Sequence, residues 1–232
     1  MFPDHPADDL HMARGAYSSV LSQARGRVGE QVYVKTRSGL AIKSRPRYRQ
    51  FPNPATAGAR ERMIQAKDAW LGLDVEQVRA WRAFAKQIHR VNPVDGTEYS
   101  PIAYNAFIML ATRFLQANPM GEIPVWPPEE EFAGDEVVLK VNKASPTAVQ
   151  FLASGPNSPD VVTEILVQKL PNIRRSPTKF YKSTAIRQFL TGQLNFNLEL
   201  PAGVYVFAYR FIQATTGLCT GLWTWDEVVV LD

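Results

Sequence analysis

Cysteine is almost missing from this chain: Cys219 stands alone among 232 residues. One thiol cannot close a disulfide within the chain, nor supply a zinc site that needs two thiolates. No basic neighbour in sequence marks Cys219 as an activated nucleophile, so it reads as a small buried side chain in a strand. A reducing compartment, or indifference to redox, fits that usage. Long apolar runs are missing as well. The richest, Tyr104 to Ala111, is broken by Asn105 and falls far short of the ~18 residues that span a bilayer. No membrane partner is expected. The start, Met1 to Arg14, has no apolar stretch and carries Asp4, Asp8 and Asp9, which argues against an ordinary secretory signal.

The signatures of common catalysis are absent too. There is no glycine-rich phosphate loop ending in Gly-Lys-Ser/Thr, no dinucleotide fingerprint, no nucleophile elbow and no His-Glu-x-x-His zinc helix. Three histidines occur. His5 and His11 sit in a polar leading arm, and His89 has no carboxylate or histidine one helical turn away, so it reads as a cation favoured by a helix C-terminus. The run Glu129 to Glu131 reads as solvated connector. The expectation is a non-enzymatic protein with no catalytic residue, no cofactor and no metal.

What is present is an uneven charge. The net value is +4, yet residues 1–60 hold ten Lys/Arg against four Asp/Glu, a balance of +6. Residues 61–120 balance at +1 and residues 121–232 at −3. The front of the chain is therefore the part suited to an acidic partner.

Four regions follow from composition and period. Residues 1–24 read as an extended arm. Residues 25–120 read as a basic hairpin plus a helical domain. Within them Gln31 to Thr36 and Leu40 to Arg45 alternate around Arg37-Ser38-Gly39, a hairpin pattern. Arg45 to Pro54 is proline-stiffened and extended. Three helices are predicted next. The first covers Ala55 to Leu71 and carries Met63, Ile64, Lys67 and Trp70. The second is capped by Asp74 with Gln77 three residues on, and places Val78, Trp81, Phe84, Ala85 and Ile88 at helical spacing. The third opens at Ser100-Pro101, runs to about Gln116 and is apolar on two faces, which implies burial on two sides. Residues 121–134 read as a Pro/Glu-rich linker. Residues 135–232 alternate in short runs (137–141, 148–153, 161–168, 193–200, 204–211 and 222–230), the pattern of an antiparallel sandwich. The fold class is thus α+β: arm, β-hairpin and three-helix unit, then an antiparallel β-sandwich.

The candidate contact residues are Arg25, Arg27, Lys35, Arg37, Lys43, Arg45, Arg47 and Arg49, eight cations within 25 residues, interleaved with Tyr33 and Tyr48. Period two puts Lys35 and Arg37 on one strand face, and Lys43 and Arg45 on one face of the partner strand. Such a surface suits carboxylates of a neighbouring subunit, which a planar guanidinium grips in bidentate fashion. It also suits phosphates, with binding that falls steeply as salt rises. Trp70, Trp81, Trp223 and Trp225 read as core before they read as stacking platforms.

Two resemblances attach to these residues. Leu200-Pro201-Ala202-Gly203-Val204-Tyr205 resembles the tyrosine corner of fibronectin type III and immunoglobulin-like domains, which implies that the Tyr205 hydroxyl ties back to the main chain. The series Gly26 to Gly29, the basic hairpin, Asn53-Pro54-Ala55-Thr56, Trp70, Ala80-Trp81 and Tyr104-Asn105-Ala106-Phe107 resembles a family of small bacterial and phage virion-associated proteins. It departs from that pattern at Gly58, where a polar residue is expected. The resemblance implies a virion component, capsid-stabilising, connector or tail accessory, assembled in the host cytoplasm. Its partners would be other virion proteins and repeated copies of itself. A DNA-associated basic protein, and an adhesin or carbohydrate-binding module in the sandwich, are the alternatives.

Overall fold

The front strands pair as the alternation predicts, and a third strand joins them. The computed structural model describes residues 26–28, 31–36, 39–44, 54–91, 96–174, 181–225 and 227–232. In it β1 (Gly26–Val28), β2 (Gln31–Thr36) and β3 (Gly39–Ser44) form an antiparallel sheet in that order. Pairing of β2 with β3 reaches Thr36 opposite Gly39, which leaves Arg37-Ser38 as the connection. Three strands are about the smallest sheet that holds together once a face is covered, whereas a lone two-stranded hairpin is marginal. The expected arm over 1–24, and most of the basic connector over 45–54, lie outside the described residues.

The chain divides into two compact units, residues 1–52 and residues 53–232. In the second, α1 (Pro54–Leu71) starts on the proline itself, which suits a first helical position with no N–H to satisfy. Met63 and Ile64 are 53% and 54% exposed, while Ala66 is fully buried. The line of α1 that meets its neighbours runs through Ala66, Ala69 and Trp70, so the two larger residues are rotated outward. Next, α2 (Val75–Gln87) has the predicted start: the Gln77 N–H donates to Asp74 Oδ1 at 2.8 Å, and the Asp74 N–H donates to Gln77 Oε1 at 2.9 Å. Replacing Asp74 by alanine is expected to cost about 1 kcal/mol, read as a lower urea midpoint with an unchanged slope.

A two-residue ribbon, β4 (Arg90–Val91) with β5 (Glu98–Tyr99), separates α2 from α3 (Ala103–Ala117). The predicted Ser100 cap does not form. Ile102 is the N-cap residue and has no side-chain bond, and Ser100 Oγ donates instead to the Lys86 carbonyl at 3.3 Å. Trp81, Phe107, Leu110 and Ala111 form a helical core, with Trp81 edge-on to Phe107 at 5.0 Å and Trp70 5.4 Å from Phe107.

Eight strands follow: β6 (Leu139–Ser145), β7 (Ala148–Ala153), β8 (Val161–Leu170), β9 (Lys182–Arg187), β10 (Asn195–Glu199), β11 (Gly203–Gln213), β12 (Trp223–Thr224) and β13 (Val229–Leu231). They make two antiparallel sheets, β10-β7-β6 and β12-β11-β8-β9, with β13 also on β11. Phe151 of β7 meets Phe207 of β11 edge-on at 5.5 Å in a core shared by the two sheets. The architecture is α+β. Two features depart from the expected strands. β9 carries mostly exposed polar residues, so no apolar period announces it. The single strand expected over 222–230 is two short ones.

The face of β11 that turns away from the small sheet is also buried. Val206, Ala208 and Ile212 are fully buried, beside Val162, Glu164 and Leu166 of β8. Its cover is α3: Gln116 donates to Glu164, and Asn118, its C-cap, donates from Nδ2 to the Ala214 carbonyl at 2.5 Å. The second apolar face of α3 is thus spent on this sheet, giving three layers of helix, large sheet and small sheet. The segment expected as a linker, 121–134, is likewise engaged. Ile123 joins the helical core, the Val125 carbonyl accepts the Trp81 indole N–H at 2.8 Å, and Phe132 joins the sandwich core.

Candidate interaction surfaces

Of the eight cations singled out by sequence, Arg27, Lys35 and Lys43 occupy β1, β2 and β3, and Lys43 is exposed. Arg25, Arg37, Arg45, Arg47 and Arg49 lie outside the described residues. Register decides how the three are arranged. Arg27 is opposite Val32, and Val32 is opposite Lys43, so these positions form one row across the sheet. Lys35 is opposite Leu40, an odd number of residues along from Val32, and period two assigns it to the other face. The basic positions of this sheet are therefore divided between two faces.

The sandwich holds two polar devices. The first is the tyrosine corner: Tyr205 Oη donates to the Pro201 carbonyl at 2.6 Å, as the resemblance implied. Tyr205→Phe is expected to cost about 1 kcal/mol, the usual net value of one part-buried hydrogen bond, read from urea denaturation. The second is a clip that joins the incoming strap to the sheets. The Asp135 carboxylate accepts from Asn157 Nδ2 at 3.1 Å and from the Ser158 N–H at 2.8 Å, and Asn157 Oδ1 in turn accepts the Phe189 N–H at 2.8 Å.

Between α3 and the large sheet sits a charged cluster that sequence reasoning missed. Glu164 is 1% exposed and ion-paired with Arg210 Nε, and its other oxygen accepts from Gln116 Nε2 at 3.1 Å. Arg113 of α3 lies close enough to feel Cys219, Arg210 and Glu164, and burial lowers its pKa from the ordinary arginine value. Cys219 is half-buried at an isolated bridge to Ile212. Glu164 and Arg210 are 46 residues apart, and neither belongs to a local pattern. Only the pairing of β8 with β11, which sets Arg210 opposite Glu164, brings them together.

Aromatic side chains fill the core and reach its rim. Trp225 lies 4.9 Å from Tyr209 and 6.1 Å from Phe151, and Trp223 stacks on Tyr209 at 5.3 Å while staying 41% exposed. Burial raises the Tyr209 phenol above its ordinary value, and a main-chain bond to Leu139 offsets part of that rise. Trp126 is 51% exposed on the strap. Open grooves among the described residues include one of about 410 Å³ between α2 and Trp126–Glu129, and one of about 520 Å³ beside Lys169, Lys182 and Tyr205. Among the described residues no three of His, Cys, Asp and Glu converge as metal ligands, and every buried side-chain polar atom has a partner. No described helix is long and apolar enough to cross a membrane.

No family model and no curated protein matches the chain. Solved structures similar to it include a family 76 glycoside hydrolase from a bovine Bacteroides thetaiotaomicron strain, at 20% identity and a TM-score of 0.31. That match covers 42% of this chain and 20% of the hydrolase, so the chain spans about a fifth of the hydrolase's length. Another is the fn3 domain of human contactin 1, at 11% identity and a TM-score of 0.27, covering 48% of this chain and 95% of that domain. Likenesses this slight carry no argument about what the chain does.

Proposed function

We propose that this chain is a non-enzymatic assembly protein of a bacteriophage virion, a capsid-stabilising, connector or tail accessory component that works through protein–protein contacts. The observation that carries the reading is the concentration of eight cations within residues 25–49, three of them in the strands of a small sheet that belongs to its own compact unit. Arginine outnumbers lysine there six to two, which favours bidentate pairing with carboxylates. The motif series over 25–118 supplies the virion context.

The two-sheet part we read as fibronectin type III-like. In chain order its first, second and fifth strands form one sheet, and the third, fourth, sixth and seventh (β12 and β13 together) form the other. The tyrosine corner opens the sixth strand, where such domains carry it. Phe151 and Phe207 occupy the inter-sheet position that a disulfide holds in antibody domains. Fold alone assigns no ligand.

The test replaces all eight cations by serine and follows co-sedimentation with the assembled particle. The variant is expected to be lost from the particle while keeping a cooperative unfolding transition. Incorporation at parental occupancy would end the proposal. Binding to naked DNA that collapses between ~50 and ~200 mM salt, with no protein partner needed, would replace it with the nucleic-acid reading.

A further inference from the structure

The second unit carries a protruding stripe and a groove that complement each other, yet they belong to different elements. On α1, Arg60, Met63, Ile64, Lys67 and Leu71 fall within about 100° of helical arc. All five are exposed, the three apolar ones by 53%, 54% and 71%. Glu61 and Asp68, also exposed, fall on the flank of that stripe beyond Ile64. The groove of about 410 Å³ is floored by Ala80, Ala83 and Phe84 of α2 and walled by Trp126 and Pro128, with Glu129 at its edge. Small residues on its floor let another helix approach closely.

Charge orders the two rims. The strap rim is acidic, because Glu129, Glu130 and Glu131 are all exposed. The far side of α2 is basic, because Arg79, Arg82 and Lys86 are exposed there, with Glu76 alone in line with the groove. A docked α1 therefore has one favourable orientation. Arg60 and Lys67 meet the glutamates, Glu61 and Asp68 meet the α2 cations, and Ile64 and Leu71 enter between them. Like charges oppose the reverse orientation.

We propose that α1 of one copy of this chain docks into the α2–strap groove of a second copy. The surfaces differ, so the contact is heterologous and repeats from copy to copy, closing into a ring or extending as a filament. This rests on the assembly reading above and names a partner for it: the chain itself. It uses none of residues 25–49, so the two can fail separately.

The test uses the full chain in sedimentation equilibrium. The parent is expected to show a mass that rises with concentration. One variant, Arg60→Glu with Lys67→Glu, presents acid to acid, and a second, Glu129→Lys with Glu130→Lys and Glu131→Lys, presents base to base. Each alone is expected to run as monomer. Their equimolar mixture restores opposite charges at every junction and is expected to recover the parental mass. Should either charge variant lose its cooperative melt, Ile64→Ser with Leu71→Ser serves instead, and monomeric behaviour is again expected. A parent that stays monomeric throughout overturns the proposal, as does a variant that associates like the parent or a mixture that fails to recover. A monomeric parent that still co-sediments with particles overturns self-docking and gives the stripe to another virion protein, with the assembly reading intact.

Discussion

Replacing Gly217 by alanine is expected to lower the melting temperature by more than about 10 °C, at ~2–4 °C per kcal/mol for a unit of this size. Gly217 follows β11 at φ +76°, the left-handed region, and its own N–H donates to the Gln213 carbonyl at 2.8 Å. A Cβ there would fall onto the Leu110 carbonyl oxygen and lie 3.0 Å from the Phe114 nitrogen. Both are main-chain atoms of α3 and cannot rotate aside, so the helix would have to lift off the sheet. Gly192 is the control. It has φ +84° and nothing within 4 Å of a Cβ. Gly192→Ala therefore reports only the cost of a left-handed alanine, ~1–2 kcal/mol. The excess loss at Gly217, measured by thermal melts of both variants side by side, is the contribution of close helix–sheet approach. Equal losses at the two sites would mean that α3 does not need that approach.

Removing one member of the buried ion pair is expected to cost about 3–5 kcal/mol, and replacing both members far less. Glu164 is inaccessible, and the Arg210 side chain is 20% exposed. Glu164→Ala leaves a guanidinium under α3 with neither its partner nor enough water, and it also strips an acceptor from Gln116. Glu164→Leu with Arg210→Met refills the volume with apolar atoms and is expected to recover most of that loss, short of the part owed to Arg113 and Gln116, which still lack the carboxylate. Urea midpoints of the single and double variants decide the matter, provided the slopes agree. A double variant as unstable as the single one would show that the site needs charge for more than its own neutralisation. If the pair serves specificity, the double variant should keep its stability but lose the sharp near-ultraviolet signal of Trp70, Trp81 and the aromatic core.

Several local features could be read from the chain because their causes lie within a few residues. The Asp74–Gln77 box is a spacing of three. The β7 limits, Ala148–Ala153, were expected in full because Val149 and Phe151 alternate with more exposed neighbours between turn residues. The tyrosine corner needs only Pro201 and Tyr205, four apart. Failures occurred where a second element decides. Ser100-Pro101 has the composition of a helix start, yet Ser100 is drawn to the end of α2, and the helix opens at Ala103. β9 has no apolar period because it is the edge strand of its sheet and its side chains are mostly exposed.

The candidate contact surface was legible as composition but not as geometry. Eight cations in 25 residues are visible in the sequence, and only the register shows Arg27 and Lys43 in one row with Lys35 on the opposite side. The groove on α2 was not legible at all, since its walls come from α2 and a strap some 40 residues later.

By itself the sequence determined the class, α+β, the basic front, the helix and most strand positions, and the corner, because propensity, capping and alternation act over short stretches of chain. Tertiary structure alone decided that α3 is shared between the helical core and the large sheet. It also decided that residues 121–134 form a strap, and that Glu164 and Arg210 meet. Those outcomes depend on which apolar faces cover one another, and a face has no partner until the whole chain has been brought together.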